Sequence, residues 1–288
     1  MSKFEHFLIT RFNLQKFHRS FNPDNEKWIA WIKRRFTIFQ NYCLPSVANQ
    51  TNKNFKWLIY FDTMTPPEID NYINELRQYD FIEICYANGS EDFFIKYLSD
   101  IQEKIKKETE WIITSRLDND DCLHSSAIDR IQNEFIPSDK YMISFALGYV
   151  YDTEIQKLSQ YYYLKSPFIS LIEKKDSLLG IYHKNHNRWD TMQVSIFKEL
   201  YYLCMNKKVK RTACFILDNT LWMQVCHGEN LGNNFYRGRP VLYSKKLNDF
   251  GIDRVALASR GIDYFKYINL KIWWRCLYAI IFKKLLKS

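Results

Sequence analysis

Apolar runs alternate with amphipathic stretches over the first 120 residues of the chain. The apolar runs predict β-strands at 4–10, 55–61, 82–86 and 110–115. Apolar residues at near-helical spacing predict helices at 27–42, 66–79 and 92–107. Strands that alternate with helices are typical of a layered sheet. The pattern therefore predicts an α/β fold with a mixed, mostly parallel sheet flanked by helices.

The first predicted helix has an apolar stripe and a basic outer face. Its apolar positions are Trp28, Trp31, Ile32, Phe36 and Phe39. Arg34 and Arg35 are expected to point outward to solvent. Pro45 is expected to lie beyond the end of this helix, because proline cannot continue a helix interior.

The segment Arg116-Leu117-Asp118-Asn119-Asp120-Asp121 follows the fourth predicted strand directly. Three carboxylates within four residues repel one another, so a cation or a set of donors must compensate them. The carboxyl end of a strand is also where α/β sheets bind ligands. Carboxylates placed there indicate a Mg²⁺ or Mn²⁺ site that binds a diphosphate. The alternative is a solvated acidic turn that precedes a helix starting near Ser125.

Composition limits the class of protein. The chain has 288 residues, 47% hydrophobic and 17% aromatic, which is enough for a substantial core and excludes disorder. Its seven cysteines have no regular spacing, which favours reduced thiols over a disulfide framework or a zinc site. The amino terminus lacks the apolar stretch of a signal peptide, so a cytoplasmic location is expected.

The net charge of +9 is concentrated at the carboxyl terminus. Residues 260–288 contain seven Lys and Arg against one acid, whereas a nucleic-acid enzyme would more often spread its basic residues over the body. Residues 246–288 are expected to form a tail with a basic, aromatic helix. Its charges argue against a membrane span and favour peripheral binding to an anionic membrane surface. Packing of this helix on the catalytic domain is the alternative.

Four segments in a fixed order resemble a known family. FLITRFN (7–13), CLPSVANQTNKNFKWLIYFD (43–62), TSRLDNDD (114–121) and VCHGEN (225–230) are similar to the putative rhamnosyltransferase family, whose members resemble GT-A, family 2-like glycosyltransferases. The resemblance covers residues 4–245. It implies a GT-A-like catalytic domain over 1–245, with a nucleotide-binding half at 1–121 and an acceptor-binding half at 122–245.

The resemblance also implies a metal site and a donor site. Asp118 and Asp120 match the D-x-D motif of the family and Asp121 follows it, so these acids are expected to hold Mn²⁺ or Mg²⁺ and the donor diphosphate. His227 is the expected additional metal ligand, although a lone histidine is often structural. The expected substrates are a dTDP-, UDP- or GDP-sugar and a glycan acceptor.

Further donor contacts are expected at the ends of the strands. Thr10, Arg11 and Asn13 follow the first strand and Asp62 ends the second, where the related enzymes bind the nucleoside. The alternatives are an exposed loop arginine at position 11 and a capping role for Asp62. Arg116 is expected to contact phosphate or to form a local salt bridge.

The catalytic base is expected to be an acid near the acceptor hydroxyl. Asp190 lies where related inverting enzymes carry this residue, with Glu173 and Asp176 as rivals and helix capping as its alternative role. Two other classes stay open from the residues alone: a metal-dependent nuclease or phosphatase and a non-catalytic carbohydrate-binding protein. A metal-dependent glycosyltransferase of surface polysaccharide biosynthesis is the favoured interpretation.

Overall fold

The structure is a computed structural model that describes residues 4–14, 26–163, 166–185, 213–216, 219–228, 239–241 and 247–252. Its strands are β1 (Phe4–Arg11), β2 (Lys56–Asp62), β3 (Ile82–Ala87), β4 (Trp111–Arg116), β5 (Cys122–Leu123), β6 (Tyr141–Phe145), β7 (Leu147–Asp152), β8 (Lys157–Tyr162), β9 (Ile169–Lys174), β10 (Ala213–Ile216), β11 (Trp222–Cys226) and β12 (Arg239–Val241). Its α-helices are α1 (Glu26–Ile38), α2 (Leu44–Ala48), α3 (Asp70–Leu76), α4 (Gly89–Lys104) and α5 (Ala127–Asn133).

The larger sheet has seven strands in the order β10-β6-β9-β4-β1-β2-β3. Within it, the strand pairings make β9 antiparallel to its neighbours and the other described strands parallel to one another. The carboxyl ends of β1, β2 and β4 therefore meet at one edge. The predicted mixed, mostly parallel sheet is confirmed.

Helices cover both faces of this sheet because its strands carry apolar residues on both sides. In β1, Leu8 faces the core below α1, α2 and α3, whereas Phe7 and Ile9 face the core below α4. On the α4 side, Phe93 and Tyr97 fill the second core. Successive strand side chains point to opposite faces, so a strand between two helical layers has no polar face.

The four strands predicted in the first 120 residues are present with ends shifted by one residue. The expected end of the first helix before Pro45 is wrong. A π-helical turn at Phe39–Cys43 continues α1 directly into α2, and Pro45 lies in the first turn of α2. Proline is compatible with this junction because its fixed φ of about −65° is helical.

A second sheet of five strands, in the order β12-β8-β7-β11-β5, follows the acidic segment. Trp222 on β11 joins the two sheets: it stacks on Phe168 at 4.6 Å between ring centroids, and its indole N–H donates to the Phe145 carbonyl at 2.7 Å. Gly148 on β7 leaves the space that this indole occupies.

The predicted carboxyl-terminal tail, 246–288, lies outside the described residues except for 247–252. Leu247 and Phe250 pack into the core of the smaller sheet. Among the described residues, no helix has both the length and the apolar character needed to cross a membrane. The five described cysteines, Cys43, Cys85, Cys122, Cys214 and Cys226, are free thiols, as expected.

Candidate active site

The acidic segment forms a loop at the carboxyl edge of the larger sheet. Leu117 N–H donates to the Ile9 carbonyl at 3.0 Å, and the Asn119 amide donates to the Phe12 carbonyl at 2.7 Å. These bonds attach the loop to the end of β1. The loop then enters β5, which pairs antiparallel with β11. The acids therefore lie where the two sheets meet.

Asp120 and His227 come together in this loop although 107 residues separate them. Asp120 Oδ2 is 3.1 Å from His227 Nε2 and 2.8 Å from Arg35 Nη1. Arg35 Nη1 is also 3.2 Å from His227 Nε2. Burial opposes ionisation of Asp120, but its contacts with His227 and Arg35 hold the pKa of this carboxyl below its ordinary value. Asp120 is thus a carboxylate paired with a guanidinium.

The expectation that Arg35 points to solvent is wrong. Its side chain is 14% exposed and enters the acidic loop, whereas Arg34 is exposed. Arg35 lies seven residues after Trp28 and four after Trp31, so helical spacing places it at the edge of the apolar stripe. Its guanidinium also lies 5.3 Å from the centre of the Trp31 ring. The spacing of Arg35 from Trp28 and Trp31 could have predicted its inward direction, but basic residues beside an apolar stripe are usually solvated.

Asp118 has a separate arginine partner. Arg116 Nη2 lies 3.1 and 3.0 Å from the two carboxylate oxygens of Asp118. The Arg116 guanidinium is 5.4 Å from the centre of the Tyr182 ring. The local salt bridge considered for Arg116 is therefore present.

Asp121 lies deeper than the other two acids. It is 2% exposed, and Oδ1 has no hydrogen-bond partner within the described part of the chain. Burial, followed by the charges of Asp120 and Asp118, raises its pKa well above the ordinary value, against the backbone hydrogen bond from Val225. Burial and the two neighbouring charges therefore favour the protonated form of Asp121.

Two side chains of this site, Asp120 and His227, have donor atoms suited to a divalent cation. Asp120 supplies a carboxylate oxygen and His227 an imidazole nitrogen, which together suit Mn²⁺. Sites of this kind usually have one or two protein carboxylates and take further ligands from substrate phosphates and water. Among the described residues, no group of three or more acidic, histidine or cysteine side chains is gathered closely enough to hold a metal. Asp120 and His227 are brought together; Asp118 and Asp121 point to different partners.

The ends of β1 and β2 form one hydrogen-bonded corner. Asn13 accepts from the Asp62 backbone N–H at 3.0 Å and donates to the Thr65 hydroxyl at 2.9 Å. Asp62 is buried and accepts from Met64 N–H at 2.9 Å, which is a turn bond and not the helix cap considered for it, because the next helical turn begins at Pro67. Thr10 is buried and accepts from the indole of Trp57 at 2.9 Å. Thr10 therefore packs below the site, whereas Asn13 and Asp62 shape its edge.

Arg11 lies over aromatic rings beside this corner. Its guanidinium is 4.8 Å from the centre of the Tyr182 ring and 5.9 Å from that of Phe93. The Tyr182 hydroxyl donates to the Ile9 carbonyl at 3.2 Å. A cavity of about 570 Å³ adjoins Tyr182 between α4 and the segment 179–185. Phe94, Tyr97, His183 and Lys184 are among its lining residues. Arg11 and Arg116 thus contact one tyrosine that borders an open cavity.

Asp190, the predicted catalytic base, lies outside the described residues. Its rival Glu173 is opposite Ile112, four residues before Arg116 on β4, and accepts from Leu179 and Gly180 N–H groups at 3.1 and 2.8 Å. Asp176 is exposed just after β9, at the same edge. Glu173 and Asp176 therefore lie toward the amino end of β4, away from the acidic loop.

The larger sheet thus carries an acidic loop at its carboxyl edge, where α/β proteins bind ligands. The chain belongs to the putative rhamnosyl transferase family, whose model matches residues 8–200. A search of curated proteins found no match.

Several solved structures are distantly similar. Residues 1–349 of S. aureus TarS are 10% identical, and the match covers 77% of this chain and 60% of that chain with a TM-score of 0.35. The same fragment in complex with UDP-GlcNAc is 10% identical, with 81% and 63% covered and a TM-score of 0.34. A putative nucleotide-diphospho-sugar transferase from Desulfovibrio desulfuricans G20 is 7% identical, with 78% and 82% covered and a TM-score of 0.35. This chain thus spans about three fifths of the TarS fragment.

Proposed function

We propose that this protein transfers a sugar, rhamnose in keeping with its family, from a nucleoside diphosphate to a hydroxyl of a glycan acceptor in surface polysaccharide biosynthesis, with Mn²⁺ or Mg²⁺ at the acidic loop. The observation that carries the proposal is the approach of His227 to Asp120 at the carboxyl edge of β4. A carboxylate and an imidazole that converge from two sheets beside a cationic group are typical of a site for a metal and a phosphate.

The arginines of the site fit the charge of the donor. Arg11 and Arg116 both lie over the ring of Tyr182. A guanidinium binds phosphate through a fork of donors and keeps its charge at any physiological pH. We assign these two arginines to the diphosphate. Asn13 and Asp62, which are joined by a hydrogen bond, then border the nucleoside.

The chemistry is displacement at the anomeric carbon. The acceptor oxygen forms a bond to this carbon while the bond to the diphosphate oxygen breaks, and the acceptor proton passes to a base, for which Asp190 stays our prediction. A bound Mn²⁺ or Mg²⁺ neutralises negative charge on the diphosphate. Arg116 stabilises the same charge and, through Asp118, is held in place before the donor binds.

The carboxyl-terminal tail indicates where in the cell the enzyme meets its acceptor. We propose that its basic, aromatic residues hold the enzyme at an anionic membrane surface, where lipid-linked glycans are extended. Cosedimentation with vesicles containing anionic lipid tests this proposal. Removal of residues 260–288 is expected to abolish binding, and equal binding by neutral and anionic vesicles would contradict the charge argument.

Isothermal titration with UDP, dTDP and GDP, with and without Mn²⁺, tests the donor site. We expect one nucleotide to bind in a Mn²⁺-dependent manner, and Asp120→Ala and His227→Ala to weaken this binding at least tenfold. Asp176→Ala is the matched control, because it removes an exposed acid away from the site. Binding that is identical in the absence of Mn²⁺, or unchanged in both site variants, would contradict the proposal. The sugar is then identified by product formation with nucleotide-sugars of the selected base.

A further inference from the structure

Arg35 stands where a cation bound to Asp120 and His227 would stand. Its Nη1 is 2.8 Å from Asp120 Oδ2 and 3.2 Å from His227 Nε2, and those two atoms are themselves 3.1 Å apart. In the tautomer that carries its proton on Nδ1, His227 Nε2 accepts from Arg35 Nη1, whereas in the other tautomer Nε2 donates to Asp120. A carboxylate oxygen and an imidazole nitrogen thus both lie within 3.2 Å of one positive group, as they would around a metal ion.

The same arginine also contacts an aromatic ring. Its guanidinium lies 5.3 Å from the centre of the Trp31 ring, one helical turn earlier on α1, and Trp31 in turn stacks on Trp28 at 5.0 Å. Within the described residues its hydrogen bonds use Nη1 alone, and Nε is buried without a partner. Arg35 therefore contacts the acidic loop through Nη1 alone, while its guanidinium lies over the Trp31 ring.

We propose that Arg35 competes with the divalent cation for Asp120 and His227. In the metal-free enzyme Arg35 occupies the position between these two side chains, and it moves toward Trp31 when the metal binds. This inference rests on the proposed function, because it assigns the metal to the same two side chains. Two positive groups cannot share Asp120 Oδ2 and His227 Nε2, so the metal must displace the arginine. Donor diphosphate, which brings negative charge, favours this exchange and couples metal binding to donor binding.

The test is titration of MnCl₂ alone into metal-free wild type, Arg35→Met and Arg34→Met. Methionine keeps an unbranched side chain and a similar helix preference but has no charge. Hydrogen bonds to charged groups are worth about ten- to a hundredfold in an equilibrium constant, so we expect Arg35→Met to bind Mn²⁺ about ten- to a hundredfold more tightly than wild type. Arg34→Met removes the same charge from the exposed side of α1 and is expected to change the affinity less than threefold, about the size of a surface electrostatic effect.

The folding of each variant is checked first by circular dichroism. Arg35→Lys keeps a positive group on the same helix and tests the proposal without loss of charge. We expect its Mn²⁺ affinity to stay closer to wild type than that of Arg35→Met. A second substitution, Asp120→Ala in the Arg35→Met background, is expected to abolish the gained binding.

The outcomes separate this inference from the proposed function. Mn²⁺ binding that is equal or weaker in Arg35→Met than in wild type overturns the competition and leaves the metal site intact. An equal gain in Arg34→Met and Arg35→Met overturns it too, because the effect would then be one of overall charge. Absence of Mn²⁺ binding in every variant overturns both the competition and the metal in the proposed function.

Discussion

Two neighbouring acids of the loop are expected to respond in opposite ways to the same substitution. Asp120→Asn and Asp121→Asn each replace a carboxylate by an amide of nearly equal size. Asp120 is ionised and paired with Arg35, whereas burial and the adjacent charges raise the pKa of Asp121 well above its ordinary value. In metal-free protein at neutral pH, we therefore expect Asp120→Asn to destabilise the fold and Asp121→Asn to leave it nearly unchanged or more stable.

The magnitude for Asp120→Asn follows from its two contacts. Oδ2 alone contacts Arg35 at 2.8 Å and His227 at 3.1 Å, with the Asp120 and Arg35 side chains 12% and 14% exposed. An asparagine can keep one oxygen toward Arg35 but loses the charge. Hydrogen bonds to charged groups contribute about 1.5–3 kcal/mol, so we expect a loss of about 2 kcal/mol. For a protein of this size, that lowers Tm by about 5 °C.

The effect of Asp121→Asn depends on pH with a definite sign. Because the folded-state pKa of Asp121 is raised, the native protein keeps a proton that the unfolded chain releases. Stability from this group is therefore lost as pH rises above the unfolded value near 3.8. Asparagine does not titrate, so Asp121→Asn does not lose stability in this way. Its stability relative to wild type therefore increases with pH up to the folded-state pKa of Asp121.

Thermal unfolding in EDTA between pH 5 and pH 8 measures both variants. Circular dichroism at 222 nm reports the transition, with Asp176→Asn as a control for removal of an exposed negative charge. If Asp121→Asn lowered Tm as much as Asp120→Asn at pH 8, Asp121 would have to be ionised in the metal-free fold. The assignment of charges in the loop would then be wrong.

Three further predictions concern the scaffold. In Gly148→Ala, an added Cβ would lie 2.0 Å from the Trp222 indole, so we expect urea unfolding to show a loss of about 3 kcal/mol; a loss below about 1 kcal/mol would mean that the indole can move aside. Burial raises the pKa of Glu173 to about 7 from 4.5, so wild type should lose about 3 kcal/mol as pH rises through this window, and urea midpoints of Glu173→Gln should lack that slope. Burial lowers the pKa of His6 to about 3 from 6.5, so stability should fall as pH drops below 6.5, by about 4 kcal/mol near pH 3; His6→Gln should flatten this acid limb of the urea midpoint curve.

The parallel strands were predictable because their apolar runs are continuous and their connections contain helices. β1 and β2 are buried on both faces, so their composition alone separates them from the amphipathic helices between them. The start of α4 at Gly89, three residues before its predicted start, has no such signal: Gly89 adopts φ +74°, which places it at a boundary that composition does not mark.

The contact of Arg35 with the acidic loop was not predicted, because helical periodicity assigns the faces of a helix by polarity and places charged residues on the solvent side. Its position seven residues after Trp28 puts it on the margin of the buried stripe, where a long side chain reaches inward past its neighbours. What decides its direction is the acidic loop, 85 residues later in the chain. A buried carboxylate attracts the nearest guanidinium, and that attraction is a property of the tertiary fold.

The position of His227 depends on the smallest element of the fold. β5 has only two residues, directly after Asp121, and its pairing with β11 sets Met223 opposite Cys122 and Trp222 opposite Leu123. β11 then runs alongside the acidic loop, and His227, the residue after its end, lies next to Asp120. A slip of one residue in this register would turn the side chains of β11 to opposite faces of the sheet. Trp222, fixed between Phe168 and Gly148, prevents that slip, so the approach of His227 to Asp120 depends on the packing between the two sheets as much as on the acidic motif itself.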